Sequence, residues 1–262
     1  PEDGPVKEGM PLELFKGKPY IMGHTAEFVA QLHNIGREEM DEVALRSHNN
    51  AERATREGDF ADEIVPVEVP QKKKKPPIRF DKDEHFRPGL TMDQLAKLSP
   101  AFVPKTGKVT AGNSSGINDG SSAVIIMSAD KARELGIKPI ARIRATGRGA
   151  CHPSVMGLSP VPAVKNMLEK NPDLKLEDFE LIELNEAFAA QALYCVRELG
   201  LDTERLNIHG GAIALGHPLG CTGAKLCATL LANMQERGVK YGVESMCIGG
   251  GMGAAALFEM CE

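Results

Sequence analysis

The chain has 262 residues, enough for one large domain or two ordinary ones, and its 42% hydrophobic and 26% charged residues give the balance of a globular protein. A net charge of −5 argues against nucleic-acid binding by the chain as a whole. No apolar run approaches the roughly 20 residues of a membrane helix, and no secretory or transit segment opens the chain.

The first elements are helical. Thr25–Leu32 reads as a helix, and 38–58 as a longer one with Met40, Val43, Ala44, Ser47 and Ala51 on one face. Ile64-Val65-Pro66-Val67-Glu68-Val69 alternates as a strand, and Lys72–Lys75 reads as a solvated hairpin tip or, if the ligand carries phosphates, an anion-attracting lip. After residue 118 the pattern becomes alternating α/β. Ser122–Met127 reads as a short apolar strand, Asp130–Leu135 as a helix ended by Gly136, and Ile140–Ala145 as a strand. Val161–Glu169 reads as a helix and Phe179–Glu183 as a strand. Ala187–Gly200 reads as a helix with Gly200 at its C-cap, and Gly223–Gly238 as a long helix with Leu226, Leu230, Leu231 and Met234 on one side. Tyr241–Cys247 and Gly253–Glu259 read as two strands around a glycine turn. These elements predict an α/β layered domain.

Three segments are rich enough in glycine and polar groups to carry chemistry. Asn185-Glu186-Ala187-Phe188-Ala189 follows an apolar strand. Asn185 is suited either to capping the next helix or to holding a water or substrate oxygen at a strand's C-terminal edge. His209-Gly210-Gly211 through Gly216-His217-Pro218 comes next. His217, between glycine and proline just ahead of a helix, sits where an imidazole can be held rigidly and used as a base, whereas His209 reads as structural. The third segment is Cys247-Ile248-Gly249-Gly250-Gly251. Cys247 is either a buried core thiol or a reactive one with glycine N–H groups beside it for an oxyanion. The six cysteines show no CxxC pair and no metal-ligand spacing, so reduced thiols, no metal site and a cytoplasmic location are expected.

Asn-Glu-Ala-Phe-Ala at 185–189, Gly-His-Pro at 216–218 and Cys-Ile-Gly-Gly-Gly at 247–251 resemble, in order and separation, the C-terminal signatures of the thiolase family. Met22-Gly23, Arg87-Pro88-Gly89, Pro100-Ala101-Phe102 and the run 110–116 resemble its coenzyme A-binding loop domain. The resemblance implies an α-β-α-β-α layered fold, of which the chain carries residues 1–118 as loop domain, 119–137 as the end of the N-terminal half and 138–262 as the C-terminal domain. It implies CoA-dependent cleavage of 3-ketoacyl-CoA, or the reverse condensation of acetyl-CoA, through a cysteine thioester. His217 would deprotonate the nucleophile, Asn185 would hold a water in the first oxyanion hole, Cys247 would move the α-proton, and the N–H of Gly249 would help form the second hole. Ser115 would bond the pantetheine, Met22, Phe102, Ala111, Ala187 and Phe188 would line its tunnel, and Arg87 would face the nucleotide phosphates. Coenzyme A would be a substrate, with no permanently bound cofactor.

The family's nucleophilic cysteine precedes the loop domain, and none of the six cysteines has a matching context; Cys221 reads as structural. The resemblance therefore implies a missing N-terminal segment or partner chain and an oligomer, with this chain inactive alone. His24 stands where the family carries a smaller residue. Two other readings compete: a non-catalytic acyl-CoA-binding subunit, and a condensing enzyme of the ketoacyl synthase type, which would use a second histidine in place of Cys247.

Overall fold

A computed structural model describes residues 20–72 and 75–261. Lys73 and Lys74 of the lysine run lie outside the described residues. Helix α1 spans Met22–Leu32 and α2 spans Arg37–Glu57. The Gly36 N–H donates to Glu39 Oε2 (2.7 Å) at the start of α2, and Gly58 closes it with φ of 86°. The buried face of α2 carries Met40, Ala44, Ser47, His48, Ala51 and Ala54, close to the face that the 3–4 spacing predicts. His24 also finds a role: its Nδ1 accepts the Ile21 N–H (3.1 Å) at the start of α1, and its ring stands edge-on to Phe102.

The predicted strand at 64–69 is shorter than expected. Only Val67–Val69 (β1) pairs, with Ile78–Phe80 (β2), in a two-stranded hairpin. Short helices α3 (Met92–Ala96) and α4 (Ala129–Glu134) follow. Ser122–Met127 is not a strand. No ladder partner lies beside it among the described residues, and backbone hydrogen bonds between strands are what make a strand. Its apolar side chains stand in solvent, with Ile125 87% and Ile126 72% exposed.

From residue 141 the chain builds one four-stranded sheet in the order β3-β6-β5-β4. β3 is Ala141–Ala150, β4 Leu181–Leu184, β5 Tyr241–Gly249 and β6 Met252–Met260. β6 runs antiparallel to both neighbours, and β4 and β5 are parallel. Helices α5 (Pro160–Glu169) and α6 (Ala189–Leu199) cover one face, burying Val164, Met167, Ile182, Leu184, Val243 and Leu257. α5 lies so close to β3 that a Cβ at Gly147 or Gly149 would overlap the backbone of Ala163. After α7 (Ala212–Leu215), helix α8 (Thr222–Arg237) covers the other face over Leu181, Cys227, Leu230, Met234 and Phe258.

The α8 side also buries charge. Glu183 of β4 and Glu244 of β5 are register partners. Both are buried, and each has a carboxyl oxygen without a hydrogen-bond partner. Burial pushes both carboxyls up to about 8.

Candidate active site

The C-terminal ends of β4 and β5 carry two of the candidate residues. Asn185 leaves β4 with its N–H donated to Ser245 O (3.0 Å), two residues before Cys247 on β5. It does not cap the following helix, because α6 begins at Ala189 with Phe188 at the N-cap. The capping alternative is thereby removed. Its side chain is buried, Nδ2 stands 3.4 Å from His217 Nε2, and Oδ1 has no hydrogen-bond partner.

His217 follows Gly216, whose φ of 94° turns the chain out of α7. The His217 N–H reaches Gly116 O (3.2 Å), and Nδ1 lies 2.6 Å from Thr222 Oγ1. The Thr222 hydroxyl proton goes to Pro218 O (3.0 Å), which can only accept. Thr222 Oγ1 therefore accepts from Nδ1–H. This assigns the Nδ1–H tautomer and leaves a lone pair on Nε2, facing the Asn185 amide. Burial holds the imidazole below its usual value, so the ring stays neutral near pH 7.

Cys247 lies two residues before the end of β5 at a bulge, opposite Gly253 of β6. The next three glycines turn the hairpin with φ of 119°, 60° and 92° at Gly249, Gly250 and Gly251, a left-handed run that side chains disfavour. The thiol is buried against Met156, Ala187 and Phe188. Burial pushes it up to about 11. It thus rests protonated, and the lowered thiol value that chemistry as a base needs is not present in the free protein.

Of the residues predicted to line the pantetheine tunnel, Phe102, Phe188 and Ala187 form a contact series leading to that thiol. Met22 opens α1, half-exposed. A Cβ on Gly23 would overlap the Phe102 ring, so the glycine lets Phe102 sit against α1. The Phe102 and Phe188 centroids are 6.2 Å apart in an edge-to-face arrangement, and Phe188 touches the cluster holding Cys247. Ser115 donates both its N–H and its Oγ–H to Ala187 O, each at 3.1 Å. The loop carrying Ser115 is fixed by helices α1 and α2. Glu27 accepts the N–H groups of Lys108 and Val109 (2.9 Å), and Asn113 Nδ2 donates to Asp41 Oδ1 (2.8 Å). Ala111 is exposed on the same loop. Arg87 is exposed as well, and its N–H donates to His48 Nδ1 (3.0 Å).

Two partners escape the sequence reading. Met156 comes from the 3-10 turn Pro153–Leu158, where no motif marks it. Thr222 orients His217 from the first turn of α8, and a threonine five residues after the histidine was the available signal. His209 is structural, as expected: it is fully buried, with Nε2 3.1 Å from Asp59 Oδ2. All six cysteines are free thiols. Among the described residues, no group of three or more His, Cys, Asp or Glu could hold a metal ion, and no helix is long and apolar enough to cross a membrane.

A layered α/β fold with an amide, an imidazole and a thiol at the ends of a mixed sheet is the arrangement of a known class. Residues 137–260 match the family model for the thiolase C-terminal domain, and 8–130 match that for the thiolase N-terminal domain. The chain belongs to the thiolase family. It is 51% identical over 247 residues to the 3-ketoacyl-CoA thiolase of Bacillus subtilis, covering 92% of this chain and 63% of that protein. It is also 51% identical over 240 residues to the acetyl-CoA acetyltransferase of Chromobacterium violaceum, covering 92% and 60%. Among solved structures, the acetyl-CoA acetyltransferase of Bacillus anthracis superposes with a TM-score of 0.88 at 46% identity, covering 92% of this chain and 60% of that one. Human mitochondrial 3-ketoacyl-CoA thiolase in complex with CoA gives 0.86 at 46% identity, covering 92% and 59%. The chain thus spans about 60% of the length of the relatives it matches.

Proposed function

We propose that this chain supplies the coenzyme A-binding surface and the catalytic groups other than the nucleophile of a thiolase, which cleaves a 3-ketoacyl-CoA with free CoA or runs the reverse condensation of two acetyl-CoA molecules. The nucleophilic cysteine comes from a segment outside the 262 residues. The observation that carries the reading is the Asn185–His217 pair at the end of β4, beside the strand that carries Cys247, whose thiol lies at the end of the apolar series Phe102–Phe188.

In the cleavage direction the nucleophile's thiolate attacks the 3-keto carbon, and His217 Nε2, holding the free lone pair, takes up the thiol proton. The carbon–carbon bond breaks with its electrons on the departing acetyl-CoA as an enolate. Cys247, resting protonated, gives its proton to that carbon while the Gly249 N–H bonds the enolate oxygen. A CoA thiol, passing its proton to the Cys247 thiolate, then attacks the acyl thioester, releasing a shortened acyl-CoA and restoring the nucleophile and Cys247. In this reading Asn185 holds a water through its open Oδ1, Ser115 and Ala187 receive the pantetheine beside Met22 and Ala111, and Arg87 meets the phosphates.

The complementary segment sits, in this proposal, against 117–127. The unpaired segment there exposes Ile117, Val124, Ile125 and Ile126, an apolar patch of the kind that marks an interaction surface. The working protein is an assembly of two or more chains or halves.

The complete protein is to be assayed with acetoacetyl-CoA and a longer 3-ketoacyl-CoA in the presence of free CoA. Cleavage of at least one is expected. Tight acyl-CoA binding with no cleavage of either would instead leave a non-catalytic acyl-CoA-binding subunit.

A further inference from the structure

We propose that Glu186 is a positioning residue that sets the spacing between Asn185 and His217 by locking both of their loops to helix α2 of the loop domain. This deepens the functional reading above and rests on it for its kinetic arm alone.

Glu186 is 1% exposed, and three donors converge on its two carboxylate oxygens. Oε2 accepts from Ser47 Oγ (2.7 Å) and the Ile213 N–H (3.4 Å), and Oε1 accepts from Asn207 Nδ2 (2.8 Å). Because the Ser47 hydroxyl proton points to Glu186, its lone pair is free to accept the Gly211 N–H (2.9 Å). Asn207, held at a positive φ of 47°, clasps Leu184 from both sides: its Oδ1 accepts the Leu184 N–H and its Nδ2 donates to Leu184 O, each at 2.9 Å.

One carboxylate therefore joins three chain segments. The first is the end of β4 that carries Asn185, the residue next to it. The second is 207–213, which enters α7 and leads through Gly216 to His217. The third is Ser47 on α2. The contact is tight: a Cβ on Gly211 would overlap the Glu186 carboxyl, and one on Gly210 would crowd Ser47 O and Ala51. A group serving only to fill the core would be apolar at lower desolvation cost, since burying a carboxylate is favourable only with full hydrogen bonding. Here that bonding goes to the two loops whose tips stand 3.4 Å apart at Asn185 Nδ2 and His217 Nε2. A carboxamide cannot replace it. It would turn an N–H₂ toward either Asn207 Nδ2 or the Ile213 N–H, neither of which can accept.

The test uses the complete protein with Glu186→Gln and, separately, Ser47→Ala, which cuts only the tie to α2. A crystal structure of each reads the Asn185–His217 spacing directly, without reference to turnover. Glu186→Gln is expected to open the spacing or rotate the Asn185 amide. It should lower kcat by about 10–100-fold with KM for acyl-CoA within about 3-fold, because a misplacement near 1 Å costs on that order. The acid limb of the kcat profile should move with it, which loss of stability alone would not cause. Ser47→Ala should do the same on a scale of about 3–10-fold. An unchanged spacing, kcat and pH profile in folded Glu186→Gln overturns the proposal. If that variant fails to fold, the same null result in Ser47→Ala overturns it. Should the parent protein show no turnover, the functional reading fails, and the crystallographic spacing alone decides the role of Glu186.

Discussion

Two neighbouring stretches of apolar sequence meet opposite fates. Ala141–Ala150 pairs along its length with β6 and is roofed by α5, while 121–127, no less apolar, pairs with nothing among the described residues and leaves Ile125 and Ile126 in solvent. The difference shows that a strand belongs to a pair of segments rather than to one. Backbone groups become a ladder only where a partner offers the opposite edge. One region of the molecule is a finished sheet whose ends hold the candidate site. The other is an edge that fits the proposal of a complementary segment.

The largest expected effect strikes the finished region at its chemistry. His217→Ala and Cys247→Ala in the complete protein should each lower kcat/KM by about 10²–10⁴-fold, the range for removing a general acid or base. Steady-state kinetics with acetoacetyl-CoA check this, and near-normal turnover in either variant would separate the sheet ends from the reaction.

Stability sharpens the contrast next. Leu257→Ala, under the α5–α6 roof and fully buried, should cost about 2–5 kcal/mol in urea unfolding of the 262-residue chain. Ile125→Asp in the same chain should change stability by less than about 0.5 kcal/mol, because the side chain touches little there. In the complete protein the second substitution should become severe. Equal costs in the short chain would contradict the division into finished and open regions.

Activity against pH offers a finer reading. Burial lowers His217, so its neutral form persists below the ordinary value near 6.5, and the acid limb of kcat/KM should fall below that pH. Cys247, raised to about 11, stays protonated through pH 9. An acid limb at or above 7 would mean that His217 is not the base.

A further stability effect, set by pH, concerns the α8 face. Glu183 and Glu244 stand near 8 in the fold against an ordinary carboxyl value near 4.5, so the folded chain binds more protons than the unfolded one between those limits. Their contribution is fully present below about 4.5 and is lost as pH rises toward 8. Glu244→Gln should therefore flatten the decline in Tm between pH 5.5 and 8 and raise Tm at the upper end. A steeper decline would contradict the assignment.

The residues of the candidate site were legible where the signal was local. Asn185, His217 and Cys247 each stand in a short run of glycine or apolar neighbours that fixes a strand end or a turn, and the structure places them at such ends. What stayed hidden was pairing at a distance. Nothing near Glu186 in sequence announces Ser47, 139 residues away, and nothing near Cys247 announces Met156. The strand expected at 122–127 failed for the same reason, because alternation reports which face is apolar and not whether a neighbour is there to bond. Helix ends were better marked, since Gly136 and Gly200 adopt the left-handed conformation that their identity suggested.

The central claim is that His217, Asn185 and Cys247 serve an acyl-thioester formed on a cysteine outside this sequence. The most direct measurement is to incubate the complete protein with acetyl-CoA, quench it in acid, and map acetylated cysteines by peptide mass spectrometry. The expected acetyl group lies on a peptide outside these 262 residues. Acetylation of Cys247, or of no cysteine at all, would contradict the claim.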